Sequence, residues 1–279
     1  MAANHVAARF AFNDGVDVAT AVASRSLITA LVVAVIVVLT GAPRVVAPRQ
    51  RRMLLGIGLL LAVQSLCLYS SVARLPVALA LLAFNSYPLW AALADRVVYG
   101  RSPPRLVLVV MPVILVGLAL ALDVAGAASG LGAGGQWARI GTGVAFALGA
   151  ATTFGLAMVV TQHEVAALDG RLRTAITMGI VGVMALAAVA AQGGPKLPAS
   201  AAGWWGLALL TLLYGSGFTV MFTVLPRLGV AGSSPVMNVE PIFALVFAWV
   251  LLDQRIAPMQ LVGAAIVVGG VTVLGLRRR

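Results

Sequence analysis

Charge is scarce in this sequence, and what there is has mostly one sign. Only 10% of residues are charged against 61% hydrophobic, a balance far from that of a soluble domain of this length. Water is therefore not the main solvent. With 8 acidic residues against 19 Lys and Arg the formal net charge is +11, which on a soluble domain would point to nucleic acid. Most arginines stand between hydrophobic stretches, with no basic helix and no aromatic-interleaved patch, so no nucleic-acid partner is expected. Cys67 is the sole cysteine, which excludes an intrachain disulfide and a thiolate metal cluster and leaves it as a small packing residue. Histidine is limited to His5 and His163, and neither has an evident nucleophile at matching depth. Gly215-Ser216-Gly217 is only a weak likeness to a nucleophile turn, so no catalytic residue, no metal site and no enzyme activity is expected. No Gly-rich phosphate loop with Lys is present either, so no cofactor is expected and ATP is not the direct energy source.

What is abundant is apolar length. Runs bounded by charge, Pro or Gly predict spans near 19–40, 53–72, 77–98, 106–122, 141–161, 175–191, 202–225, 229–252 and 258–276. They show no strand-like alternation, so the predicted fold class is all-α membrane protein, with lipid as a partner over its outer surface. Met1 to Phe12 is apolar but spans roughly 18 Å at about 1.5 Å per residue. It reads as the second half of a first helix, short or truncated at its start, and not as a signal peptide. Counting it gives about ten transmembrane helices. Loops on one side hold Arg44, Arg49, Arg51, Arg52, Arg96, Arg101, Arg105, Arg171, Arg173, Arg227 and Arg277 to Arg279, whereas the other side holds Arg74, Arg139, Lys196 and Arg255. That bias of thirteen to four predicts both termini on the cytoplasmic side.

The halves repeat. Arg74-Leu75-Pro76-Val77-Ala78 aligns with Arg227-Leu228-Gly229-Val230-Ala231, and the same offset of 153 residues places Asn85 on Asn238, Pro88 on Pro241 and Gly117 on Gly270. An odd number of helices per copy turns the second copy over. The expected organisation is two inverted five-helix repeats, residues 1–125 and 141–276.

The segment Ser234 to Ala244, followed by Leu251-Leu252-Asp253-Gln254-Arg255 and the Gly-rich last helix Leu261 to Leu276, resembles the EamA-type ten-helix carriers of the drug/metabolite transporter superfamily. Val77 to Pro88 is the first-half copy. Asn4-His5-Val6-Ala7-Ala8-Arg9 looks like that family's first-helix signature, and Ala23 to Leu27 like the arginine near the start of its second helix. Two departures are a first helix without its leading half, and Asp253-Gln254 where such carriers more often show Gly-Glu. The resemblance implies a secondary transporter, an exporter of a small metabolite such as an amino acid, working by alternating access in a bacterial inner membrane. A homodimer is compatible with this. The competing classes are a channel or non-transporting scaffold and, more remotely, an intramembrane enzyme.

Candidate binding residues follow from polarity at depth. Pro88 and Pro241 fall mid-helix in the apolar pattern and are expected to kink their helices, freeing the Phe84 and Met237 carbonyls at the level of Asn85 and Asn238. These residues either shape and glue helices or line a shared cavity. Glu240 is an intramembrane carboxylate, which costs roughly 3 kcal/mol to insert. Its role is either a structural pair or proton coupling, with Arg25 and Arg9 as candidate partners. Tyr87, Trp90, Phe84 and Phe243 surround the prolines, as packing groups or as the floor of a pocket.

Overall fold

The computed structural model describes residues 2–41, 45–102, 105–223, 240–252 and 257–276, and among these there are helices and no strand. The helices are α1 (Ala2–Asn13), α2 (Val18–Leu39), α3 (Pro48–Arg74), α4 (Val77–Phe84), α5 (Tyr87–Tyr99), α6 (Arg105–Ala121), α7 (Gly132–Glu164), α8 (Gly170–Ala191), α9 (Ala201–Thr223), α10 (Glu240–Leu252) and α11 (Pro258–Leu276). By length and composition, α2, α3, the α4–α5 pair, α7 and α8 are each able to cross a bilayer, and α6 and α11 are shorter apolar helices. Leu31, Val38, Val109, Val116 and Trp205 point outward. That is the arrangement lipid permits and water does not. The chain is an all-α, multi-pass membrane protein.

Adding 153 to the bounds of α2, α3, α5 and α6 gives 171–192, 201–227, 240–252 and 258–274, which fall on α8, α9, α10 and α11. The same shift carries α1 to 155–166, the C-terminal part of α7. Packing repeats with the elements. α3 lies against α7 and α8 as α9 lies against α1 and α2, and α5 meets α7 as α10 meets α1. The symmetry-related pairs α2–α8 and α6–α11 pack on each other. At the start of α2, Asp17 accepts a hydrogen bond from the Lys196 amide just beyond α8 (3.1 Å); at its end, Thr40 Oγ1 accepts from Arg171 at the start of α8 (2.9 Å). The two mates are therefore antiparallel, and the second repeat is inverted.

Pro88 disturbs its helix as expected: Asn85 and Ser86 keep right-handed helical backbone, so that the two pieces still form one span of 23 residues, Val77–Tyr99. α4 stops at Phe84 and α5 restarts at Tyr87 with the proline as its second residue, because proline has no N–H to offer and clashes with the carbonyl four residues back. The exposed helix end is satisfied locally: Asn85 Nδ2 donates to the Leu81 carbonyl (2.7 Å) and Ser86 Oγ to that of Ala83 (2.7 Å). Pro241 is likewise the second residue of α10. Asn238 and the Asp253-Gln254 pair lie outside the described residues.

Asp169 caps α8, its carboxylate accepting from the Arg171 amide (2.8 Å) and from the Arg171 guanidinium (2.7 and 3.1 Å). The Arg171 side-chain bond holds this carboxyl down at about 2. Because the folded value is depressed, the contribution is present above the unfolded value near 4 and fades as pH falls toward 2. Asp169→Ala should cost about 1 kcal/mol, or a thermal midpoint lower by about 2–4 °C in the purified protein. The gap between variant and parent should narrow as the pH of the melt is lowered below about 4.

Candidate functional site

The most unusual polar side chain in the apolar interior is Arg25. It sits in the second turn of α2 at 2% exposure. Its Nη2 donates to Ser65 Oγ on α3 at 2.9 Å, while Nε and Nη1, both buried, meet no acceptor among the described residues. Its charge lies over two aromatic rings, Tyr214 of α9 at 3.8 Å and Tyr69 of α3 at 4.6 Å. Cation–π contacts out of water are worth about 2 kcal/mol each, whereas taking a charge out of water costs several kcal/mol even after relaxation. The rings reduce the penalty without removing it. None of the ion pairs among the described side chains involves Arg25.

α1 completes this cluster. Asn4 Oδ1 accepts from Tyr69 Oη at 3.0 Å, which leaves the buried Asn4 Nδ2 as another donor without an acceptor among the described residues. The His5 ring lies 5.4 Å from that of Tyr69. On the far side, Tyr214 Oη reaches the sulfur of Met178 on α8 at 3.5 Å. Five helices from both repeats thus meet in the cluster around this cation, and the unfilled groups on it and on Asn4 are hydrogen-bond donors. Tyr69 and Tyr214 escaped sequence reasoning. The available signal was the stripe Gln64, Ser65, Leu68, Tyr69 and Val72, one face of the otherwise apolar α3.

The other predicted residues fall elsewhere. Asn85 and Tyr87 border the α4–α5 break, where Phe84, Tyr87 and Phe154 pack ring to ring at 5.0–5.7 Å. Trp90 is half-buried, with a buried Nε1 that meets no acceptor among the described residues. α7 crosses this segment at Gly155, where a Cβ would stand 2.7 Å from the Ala91 nitrogen. Phe243 is 52% exposed and stacks on Phe247 along α10, which places it on the outer face. Glu240 opens α10, which packs against α1. Arg9 donates to the Val72 carbonyl at 2.7 Å and so ties α1 to the end of α3.

At the arginine-rich end, side chains form a seam across α3, α5 and α7. Arg49 pairs with Glu164 (2.8 Å), which also accepts from Tyr99 Oη (3.3 Å); His163 bonds Asp95 (2.9 Å) and stacks on Tyr99. At the opposite end the loop before α9 is held differently, by Asp14 accepting from the Ser200 amide at 2.8 Å.

Inverted helical repeats packed around a buried cation define a polytopic membrane protein of the transporter kind. The model of the EamA-like transporter family matches residues 1–122 and again 141–276, and the chain belongs to that family. Ten chains of solved structures match as well. One crystal structure is 18% identical over 99% of this chain and 94% of its own, with a TM-score of 0.61, a likeness of fold alone. No curated protein matches.

Proposed function

We propose that this transporter is a secondary carrier that exports a small metabolite across the inner membrane of a bacterial cell, the two repeats alternately opening a central site around Arg25. The observation that carries this reading is the antiparallel packing of the symmetry mates α2 and α8, joined through Tyr214, which touches Arg25 from one repeat and Met178 from the other. Rocking such a pair exchanges which side is open, because each repeat can take the other's conformation. The cytoplasmic placement of both termini is supported by the loop arginines, since Arg49 and Arg171 lie at one end of the bundle and Lys196 at the other.

The test is counterflow in liposomes, with the cargo first found by comparing metabolites released from cells with and without the protein. A carrier shows saturable exchange that accelerates with substrate on the far side. A channel shows conduction without saturation, which would end this reading.

Proton coupling in this scheme runs through Glu240, the carboxylate at the start of the proline-led α10. Glu240→Gln should abolish uptake driven by a pH difference while exchange at equal pH continues. A variant that keeps pH-driven flux removes Glu240 as the coupling group. A lower folded yield instead indicates a structural ion pair.

A further inference from the structure

The duplication that built the two halves did not duplicate their chemistry. At the 153-residue offset Arg25 corresponds to Met178, Asn4 to Ala157 and Ser26 to Gly179. In each pair the first repeat holds the polar member and the second the apolar one. The mates also occupy different depths. With about 1.5 Å of rise per residue, Arg25 lies roughly 10 Å inside the Asp17 end of α2 and Met178 roughly 12 Å inside the opposite end of α8. In a pair about 33 Å long that leaves a step of roughly 10 Å along the membrane normal, and Tyr214 spans it.

From this we infer that the cargo is a monocarboxylate with an apolar body, its carboxylate seated on Arg25 and Asn4 and its body lying toward Met178. The inference rests on the transporter reading above. The unfilled groups on Arg25 and Asn4 are donors, so they call for an acceptor, and a charged one neutralises the guanidinium in a site where a lone charge is costly. One cation balances one negative charge. A phosphate dianion would leave charge uncompensated, and an ammonium would meet repulsion. On the Met178 side a polar tail would give up water for a thioether, whereas an aliphatic or aromatic group would gain from burial.

The test is ligand-induced thermal stabilisation of the purified full chain, with 3-phenylpropanoate, 3-phenylpropanamide, 3-phenylpropylamine and acetate as probes. The first should bind about tenfold or more tightly than each of the others, as expected for one charge-assisted hydrogen bond or one buried apolar group. Arg25→Lys should weaken 3-phenylpropanoate by about tenfold, because a point charge replaces a planar fork. Met178→Gln should remove its advantage over acetate and leave acetate unchanged. Equal binding of the amide or the amine, or no binding of any probe, overturns the inference. So does carboxylate binding that appears only in Glu240→Gln, because Glu240 would then be the anion on Arg25. Any of these results combined with intact counterflow of the released metabolite leaves the transporter reading in place; loss of saturable counterflow for every metabolite removes that reading instead.

Discussion

Arg25→Met should give a protein that unfolds at a higher temperature and no longer transports. Methionine already occupies the symmetry-related position at 178, so the helix pair tolerates its shape. The guanidinium makes one hydrogen bond to Ser65 and leaves two nitrogens without acceptors among the described residues. Removing it forfeits up to about 5 kcal/mol for that bond and the two ring contacts, and it relieves a desolvation penalty of several kcal/mol while burying an apolar side chain worth about 2 kcal/mol. A residue kept for structure would show the opposite sign. Losing the anchor for a charged substrate should reduce counterflow by about 100-fold, the equivalent of roughly 2.7 kcal/mol. Melting curves and counterflow on the same preparation decide the matter. A destabilised variant with counterflow in proportion to its folded fraction would make Arg25 structural.

Gly263→Val should abolish folded protein in the membrane. α6 and α11 cross so closely that a Cβ at Gly263 would overlap the Ala121 nitrogen and the Gly117 carbonyl oxygen, both backbone atoms. Side chains can swing away from an intruding methyl, but a helix backbone in lipid cannot leave without exposing its own hydrogen bonds. The cost lies at or beyond about 3 kcal/mol, the upper end for overpacking. Gly270 offers the internal comparison, since a Cβ there meets side-chain atoms of Ile114 and Val110, whereas one at Gly117 would also meet the Gly263 carbonyl oxygen. Alanine at 270 should be tolerated far better than valine at 263, as read from the monodisperse peak of detergent-extracted protein. Equal yields for the two variants would mean that the helices separate without cost.

Much of the fold was legible because its causes are local or periodic. Apolar length located the helices, and the repeat carried α2, α3, α5 and α6 onto α8, α9, α10 and α11 to within a few residues. The proline foretold a disturbed helix at residues 85–87, but a proline in an apolar run does not reveal that the Asn85 and Ser86 side chains will bond back to the Leu81 and Ala83 carbonyls. The surroundings of Arg25 were not legible. Tyr69 and Tyr214 lie on helices from different repeats, and which face of α9 turns toward α2 depends on packing that hydropathy does not encode. Phe243 shows the same limit: its closeness in sequence to Pro241 placed it with the pocket candidates, while the rotation of α10 turns it outward.

The unlike fastenings at the two ends give the protein a sense of polarity that its backbone symmetry lacks. The seam at the arginine-rich end consists of pairs between side chains, and the positions matching Arg49, His163 and Glu164 in the other repeat are Ala202, Phe10 and Ala11. In an alternating cycle two identical halves would spend equal time facing each way, and unlike fastenings remove that equality. Ionic strength loosens exposed ion pairs but hardly touches a carboxylate held by backbone amides. Salt therefore acts chiefly on the arginine-rich end and leaves the Asp14 fastening in place, and it does not change the direction of net flow, which belongs to the gradients.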